Sequence, residues 1–333
     1  MFSNNKDIIL SVLVPVYGVE KYIERYARSL FEQSMTKNVE FVFIDDCSKD
    51  NSIPILQKVI EDYPSLKEQI RIERLPQNMG LLGARLSGLK MVKGDYILCN
   101  DSDDWVEPTM LEDMYNKAIT DNCDVVIADY FVNTNKKQIC ISQKPEKLDG
   151  LSCANQILNS TLHGSWCNKL FKRNLVVNSN IIEPQLGMNM MEDLMVTTQL
   201  LFHSKKVGYV DKAYYHYFLN TSSVSQTVSE KKLQSIQYAY DFIEKFYHLN
   251  NLNDSESLKA LKFFRISTLS TIAYESCLTD YSVDFWKYRK LLPSILKHPK
   301  LDIVHQLSLI FRILKMKPLV KLMIVTKKIK AKI

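Results

Sequence analysis

Glycine and proline are scarce, 9 and 10 residues in 333, which excludes a collagen-like or low-complexity chain. No apolar run reaches the roughly 18 to 20 residues that a membrane span requires. The polar start, Met1 to Asp7, does not lead into a cleavable signal, so export by that route is not expected. The seven cysteines are scattered and form no C-x-x-C pair; neither a disulfide framework nor a zinc site is indicated, and a reduced, cytoplasmic setting is the expectation. Acids are missing from one stretch. Residues 311–333 contain Arg312, Lys315, Lys317, Lys321, Lys327, Lys328, Lys330 and Lys332 and no Asp or Glu. The net charge of +6 therefore sits at one end, leaving 35 bases against 37 acids in the rest. Such a body lacks the spread of basic residues that nucleic-acid binding needs. What is present, 46% apolar and 24% charged residues, is an ordinary globular composition, long enough for two domains.

The apolar residues have a readable period. Ile8 to Val16 is apolar on both faces, as a fully buried strand must be. Tyr22, Ile23, Tyr26, Ala27, Leu30 and Phe31 then fall on one face of a helix from about Glu20 to Gln33. The alternation continues with strands at Val39 to Ile44, Ile70 to Leu75, Tyr96 to Cys99 and Val125 to Ala128. Helices at Ile53 to Ile60, Leu81 to Met91 and Pro108 to Ile119 separate them. This order predicts crossover connections and a mostly parallel sheet covered on both faces, an α/β fold. Val207 to Val210 and Tyr214 to Phe218 read as two more short strands. From Lys231 onward the period is helical, and a boundary is expected in the polar stretch Ser222 to Glu230. The expected domains are thus 1–225, with a regular α/β part at about 8–130 and a less regular part at about 131–225, and a helical domain at 226–333.

In an open parallel sheet, ligands bind beyond the carboxyl ends of the strands. Here those ends are acidic: the second strand runs into Asp45-Asp46, and the fourth into Asp101-Ser102-Asp103-Asp104. The first ends at Pro15-Val16-Tyr17. Such a rim repels a bare phosphate and would hold a nucleotide diphosphate only through a divalent cation. In extended backbone Asp101 and Asp103 share a side, so both can approach one hard ion, Mg2+ or Mn2+ rather than zinc. The competing role is capping, with Asp103 or Asp104 starting the helix near Glu107 and Asp50 or Ser48 the one near Ser52. Two acidic clusters on strand ends favour the ligand reading, because like charges so gathered are otherwise costly. Neither G-x-G-x-x-G nor G-x-x-x-x-G-K-[ST] occurs, so no glycine-rich loop cradles the phosphates.

Taken in order, the motifs resemble the family 2 glycosyltransferases, inverting enzymes of the GT-A fold. They are Val12-Leu13-Val14-Pro15-Val16-Tyr17, Phe43 to Ser52 around Asp45-Asp46, Asn78-Met79-Gly80 with Ala84-Arg85, and Gly94-Asp95-Tyr96-Ile97. Asp101-Ser102-Asp103-Asp104-Trp105, Trp166 to Phe171 and Met191-Glu192-Asp193 follow. The resemblance covers residues 8 to about 224 and implies a donor-binding part at about 8–130 and an acceptor part at about 131–225. It implies a nucleotide-diphosphate donor, with uracil as the base, bound by Pro15, Tyr17, Asp45, Asp46, Asn78, Arg85, Asp101, Ser102 and Asp103. Tyr17 would stack on the base, Asp46 accept its imide hydrogen, and Asp45 support the loop or the ribose. Asp101 and Asp103 match the metal-binding D-x-D motif for Mn2+ or Mg2+, with Asp103 the direct ligand. Arg85 matches an arginine near the diphosphate, though its helical position equally allows a structural ion pair. Gly18, Cys47 and Asn100 depart from the family pattern, the first two at loop positions.

Inversion needs one base to deprotonate the acceptor hydroxyl while the leaving diphosphate is stabilised opposite. The resemblance assigns that base to Asp193, with Glu192 beside it; otherwise the pair reads as acidic first-turn residues of a helix from Leu194 to Phe202. Trp166 and Lys169 are acceptor-side candidates, Trp166 equally a core residue. His216, between two tyrosines, reads as a strand residue with a satisfied ring ahead of a ligand. The acceptor implied is a glycan or lipid-linked saccharide of bacterial surface-polysaccharide assembly. Lys317 to Ile333 reads as a basic amphipathic helix able to lie on the inner membrane surface, with each lysine worth about 1 kcal/mol near anionic headgroups. The alternative is a terminal helix packed on the helical region, through which a homodimer could also form. Two rival functions are an inactive sugar-nucleotide-binding scaffold and a nucleotidyltransferase; the latter should carry a basic glycine-rich loop after the first strand, and none occurs.

Overall fold

The structure, a computed structural model, describes residues 8–134, 136–187, 190–219 and 228–330, without the side chains of 325–330. The chain folds as two compact units. The first comprises Met1–Cys153, Gly164–Gly187 and Gln199–Thr221, the second Ala154–His163, Met188–Thr198 and Ser222–Ile333. Most of the boundary expected at 222–230 lies outside the described residues, and the second unit also takes in two earlier segments.

The first unit is built on a nine-stranded sheet: β1 (Leu10–Val16), β2 (Val39–Asp45), β3 (Ile70–Arg74), β4 (Tyr96–Cys99), β5 (Trp105–Val106), β6 (Val125–Asn133), β7 (Gln138–Ile141), β8 (Lys169–Lys172) and β9 (Val207–Phe218). Their order is β3-β2-β1-β4-β8-β6-β9-β5, with β7 beside β6. The parallel set read from the sequence is present as β3-β2-β1-β4. Short antiparallel partners extend it, β8 between β4 and β6 and β5 at the far edge, so the whole sheet is mixed. Val207 to Phe218, expected as two strands, is one; an irregularity in its pairing with β6 absorbs the exposed Asp211-Lys212 step that broke the apolar pattern. Bulged strands keep their direction while losing alternation locally.

Every residue of β1 and β2 is buried, as strands covered on both faces must be. The cover comes from α1 (Ile23–Phe31), α2 (Ser52–Glu61), α3 (Gly80–Leu89) and α4 (Met110–Asp121). In α1 the buried set is Ile23, Tyr26, Ala27, Leu30 and Phe31, the stripe that the period placed inward. Leu10, Val12, Val14, Phe41, Phe43 and Leu98 join that stripe in one core. Burying each such side chain contributes about 1.5 to 3 kcal/mol. The short helices α5 (Gly150–Leu158) and α6 (Arg173–Asn178) and then α7 (Glu192–His203) complete the middle of the chain.

The second unit is helical: α8 (Glu230–Leu249), α9 (Ser255–Glu275), α10 (Leu292–Ile295), α11 (Ile303–Ile313) and α12 (Lys317–Lys330). Oxygen-bearing side chains start three of them. Ser229 accepts from the Lys232 amide, Asp254 from the Glu256 and Ser257 amides, and Asp302 from the His305 amide, satisfying donors that a helix end leaves unpaired. Leu233, Ile236, Ile266, Leu269, Ile272, Leu309 and Ile313 form its core. In the tail, Val320 and Ile324 of α12 are buried with Cys277, while Leu322 is 60% exposed. No helix among the described residues is long and apolar enough to cross a membrane.

Candidate active site

The chain leaves β1 for β2 and β3 on one side and returns to β4 on the other, so the crevice beyond the ends of β1 and β4 is a topological switch point. Three strand ends are stitched together there. The Ser102 hydroxyl donates to the Pro15 carbonyl at 2.7 Å, tying the β4 loop to β1. The Asp46 amide donates to the Val16 carbonyl at 3.0 Å, and the Asn100 amide to that of Leu13 at 3.0 Å. Beyond Pro15, Tyr17 is 50% exposed, and Gly18 turns the chain at φ +67°, a region that costs glycine little. The phenol ring thus stands free at the rim.

Asp45 and Asp46 have separate tasks. Asp45 accepts the Ser48 amide at 2.7 Å and pairs with Arg74 at 2.5 Å, fixing the loop after β2. Asp46 is buried and accepts the Met79 and Gly80 amides at 2.6 and 2.9 Å, capping the start of α3. The Asn78 side chain donates to the Asp46 carbonyl at 2.9 Å. Burial raises the Asp46 pKa, with the two amides working against it. This capping role is not visible in the sequence, where Asp46 reads only as a base acceptor.

The β4 loop carries the acid cluster. Asp101 pairs with Arg85 of α3 at 2.6 Å; Arg85 is almost fully buried and Asp101 partly open. The structural ion pair is therefore formed, and it holds Asp101 in the crevice. Asp103 is pushed up to about 6, first by burial and then by the Asp101 charge. Asp104 is buried, accepting the Phe218 amide at 2.7 Å and the Tyr215 hydroxyl, and burial holds its pKa well above the carboxylate range. Tyr215 also accepts from the Asp101 amide at 3.2 Å, so one phenol oxygen braces both ends of the Asp101-Ser102-Asp103-Asp104 turn. Arg25 of α1 donates to the Asp103 carbonyl at 2.9 Å and lies 3.9 Å over the Trp105 ring, a cation–π contact. Sequence reasoning missed Arg25 and Tyr215. Only the pairing of β5 with β9, Val106 opposite Tyr215 and Trp105 opposite His216, brings the latter strand to the turn.

His216 is a satisfied strand residue. It stacks between Trp105 and Phe131 with ring centroids 4.7 and 4.6 Å away, and its nitrogens meet Glu107 at 2.7 Å and the Asn133 amide at 3.2 Å. Burial lowers its pKa. An amide donor on Nδ1 leaves the proton on Nε2, donated to Glu107. Trp166 and Lys169, the acceptor-side candidates, are both buried. Trp166 is 2% exposed and Lys169 fully buried; the ammonium donates to the Ser165 carbonyl at 2.9 Å and to the Asn168 side chain at 2.8 Å. In this conformation neither offers a face to a sugar. Glu192 and Asp193 form the first turn of α7, which starts two residues before the helix expected at Leu194.

The donor set at Asp101 and Asp103 suits a hard cation. Both are carboxylates, oxygen donors of the kind Mg2+ and Mn2+ take. Among the described residues no three His, Cys, Asp or Glu side chains form a metal cage. The pair can supply two oxygens, leaving other positions to a diphosphate and water, the arrangement usual for Mg2+.

A family model described as glycosyl transferase family 2 matches residues 11–178, just over half of the chain. EpsH of Bacillus subtilis (strain 168) is 29% identical over 247 residues, 73% of this chain and 70% of that protein. A cholesterol galactosyltransferase of Borreliella burgdorferi is 28% identical over 233 residues, 66% of this chain and 63% of its own length. The poly(ribitol-phosphate) beta-N-acetylglucosaminyltransferase TarS of Staphylococcus aureus (strain MW2) is 27% identical over 253 residues, 75% of this chain and 40% of TarS. The aligned part thus spans less than two thirds of the latter two relatives. The crystal structure of S. aureus TarS 1-349 in complex with UDP-GlcNAc matches with a TM-score of 0.66 at 21% identity, over 93% of this chain and 88% of that one, a likeness of fold. The chain belongs to glycosyl transferase family 2 and is a glycosyltransferase of the GT-A fold.

Proposed function

We propose that the chain moves a hexosyl or N-acetylhexosaminyl unit, with inversion, from a UDP-sugar to a hydroxyl of a glycan or lipid-linked saccharide in surface-polysaccharide assembly. The observation that carries this reading is the single hydrogen-bonded rim at the β1–β4 switch point, in which Ser102 meets Pro15, Asn78 meets Asp46 and Arg85 meets Asp101. That these residues, which the resemblance assigns to the donor, are hydrogen-bonded to one another supports the reading. The UDP-GlcNAc of the TarS complex supports a uridine donor.

In this reading the half-exposed Tyr17 ring covers the base, while Asp46 and the Asn78 loop shape the base pocket. Asp101 and Asp103 face the diphosphate, and they are the residues that would hold Mn2+ or Mg2+. That ion would supply Lewis-acid stabilisation of the departing diphosphate. Asp193 takes the proton from the acceptor hydroxyl with Glu192 as its neighbour; the N-terminal dipole of α7 favours the ionised carboxylate a base must be. A general base of this kind contributes about 10²- to 10⁴-fold.

The test is UDP release from UDP-sugars, read beside donor binding. Asp193→Asn should lose roughly that factor in turnover with donor affinity unchanged. Binding without release in the wild-type chain, under every acceptor tried, would favour the inactive scaffold; release of pyrophosphate from a nucleoside triphosphate would favour the nucleotidyltransferase.

A further inference from the structure

The second unit carries a surface that the transfer reaction does not use. Helix α11 ends at Leu314 and the chain turns at Lys315, with φ +61°. The Lys315 amide donates to the Arg312 carbonyl and the Met316 amide to that of Phe311, the paired bonds of a Schellman cap, whose left-handed position is normally glycine. A lysine stands there instead, in a conformation that is unfavourable for a side chain with a Cβ. Backbone geometry therefore does not account for the residue.

The surroundings do. Leu314, Lys315, Met316 and Lys317 are exposed in succession, Leu314 by 46% and Met316 by 42%. Beside them Trp286 is 46% exposed, with the Lys315 ammonium 5.8 Å and the Arg289 guanidinium 5.4 Å from its ring. From Asp284 to Lys321 the chain holds nine Lys or Arg residues against two acids, Asp302 and Asp284, the latter exposed and accepting the Trp286 amide at 3.1 Å. Indole, thioether and leucine side chains among lysines and an arginine form the composition that settles at a bilayer interface, with apolar groups at the level of the acyl boundary and cations among the headgroups. A protein partner would be met by the same apolar groups, but nothing in such a partner calls for one-signed charge over so long a stretch; an anionic leaflet does.

We propose that the α11–α12 turn, with Trp286, Leu314, Lys315 and Met316 at its tip, is a docking surface for an anionic phospholipid bilayer. This places the membrane contact at the exposed turn before α12, in which Val320 and Ile324 are packed against Cys277. The inference is independent of the donor chemistry, since it is read without any sugar nucleotide.

The experiment uses the full chain and vesicles of phosphatidylcholine, with or without phosphatidylglycerol. Sedimentation should show binding to the mixed vesicles only, weakening as salt rises. The Trp emission should shift to the blue on binding. Trp166 is buried and Trp105 is held between Arg25 and His216, so Trp286→Phe should remove that shift. Lys315→Gly retains the turn and relieves its backbone; it should melt no lower than wild type yet bind mixed vesicles about fivefold more weakly, the effect of one lysine near the headgroups. Equal binding by wild type and Lys315→Gly, or an emission shift that survives Trp286→Phe, would overturn the proposal. So would a vesicle-free dimer that Trp286→Ala dissociates, which would make the surface a self-interface. A thermal shift with UDP and Mn2+, run without vesicles, reports the donor site separately.

Discussion

Asp103→Asn should make the ligand-free protein more stable while removing its grip on a diphosphate. The Asp103 carboxyl is pushed up to about 6 from 3.8, first by burial and then by Asp101. That rise corresponds to about 3 kcal/mol by which the folded chain disfavours the ionised form. The folded pKa lies above the unfolded one, so the native state binds its proton more tightly. Stability is therefore full below about pH 4, falls as the pH rises towards about 6, and stays reduced above that. Asparagine carries no such charge. At pH 7.5 the variant should be about 2 to 3 kcal/mol more stable, allowing for an amide hydrogen left without a good acceptor, which is roughly 5 to 10 °C in melting temperature for a unit of this size. Near pH 4 the gap should close. Thermal denaturation in chelator across that pH range reads both limits. Equal melting at every pH, or a less stable variant at pH 7.5, would refute the claim that the acidic rim is under electrostatic load. With Mn2+ and UDP present the order should reverse, because a ligand that binds only the folded wild type raises its melting temperature.

Two other variants probe the frame around the cluster. Asp46→Ala strips the cap from the Met79 and Gly80 amides and should lower stability by about 1 to 2 kcal/mol in urea denaturation, with weaker UDP binding in a titration. Tyr215→Phe removes the oxygen shared by Asp104 and the Asp101 amide, a loss of about 1 to 3 kcal/mol; it should raise the donor KM more than it lowers kcat, since the phenol orients the turn without touching the reacting atoms.

The parallel strands were legible because β1, β2 and β4 are buried on both faces, and a short uninterrupted β-branched run fits little besides a covered strand. The antiparallel additions were not. β5 is two residues long, β7 is exposed at its first three positions, and β8 begins and ends with lysine, so none carries an apolar period. At the site, Asp101 and Asp103 could be read because charge gathered beyond a strand end is conspicuous in any chain. What braces them could not. Arg85 and Asp101 are 16 residues apart and Tyr215 and Asp104 are 111 apart, and only the sheet order joins them. The burial of Lys169, an acceptor-side candidate, was not legible either: its register opposite Ile127 puts it inside, with the ammonium donating to Ser165 and Asn168 just before it. The tail was open to two readings. Its lysines and valines formed an amphipathic pattern, but the sequence does not tell whether a helix shows its apolar face to lipid or to Cys277.

The most direct measurement of the central claim is the melting temperature of the wild-type chain and of Asp103→Ala with UDP, in Mn2+ or in chelator. The rim described above should give a rise for wild type in Mn2+ that chelator abolishes and that Asp103→Ala lacks. An equal rise in chelator, or an undiminished one in Asp103→Ala, would contradict it.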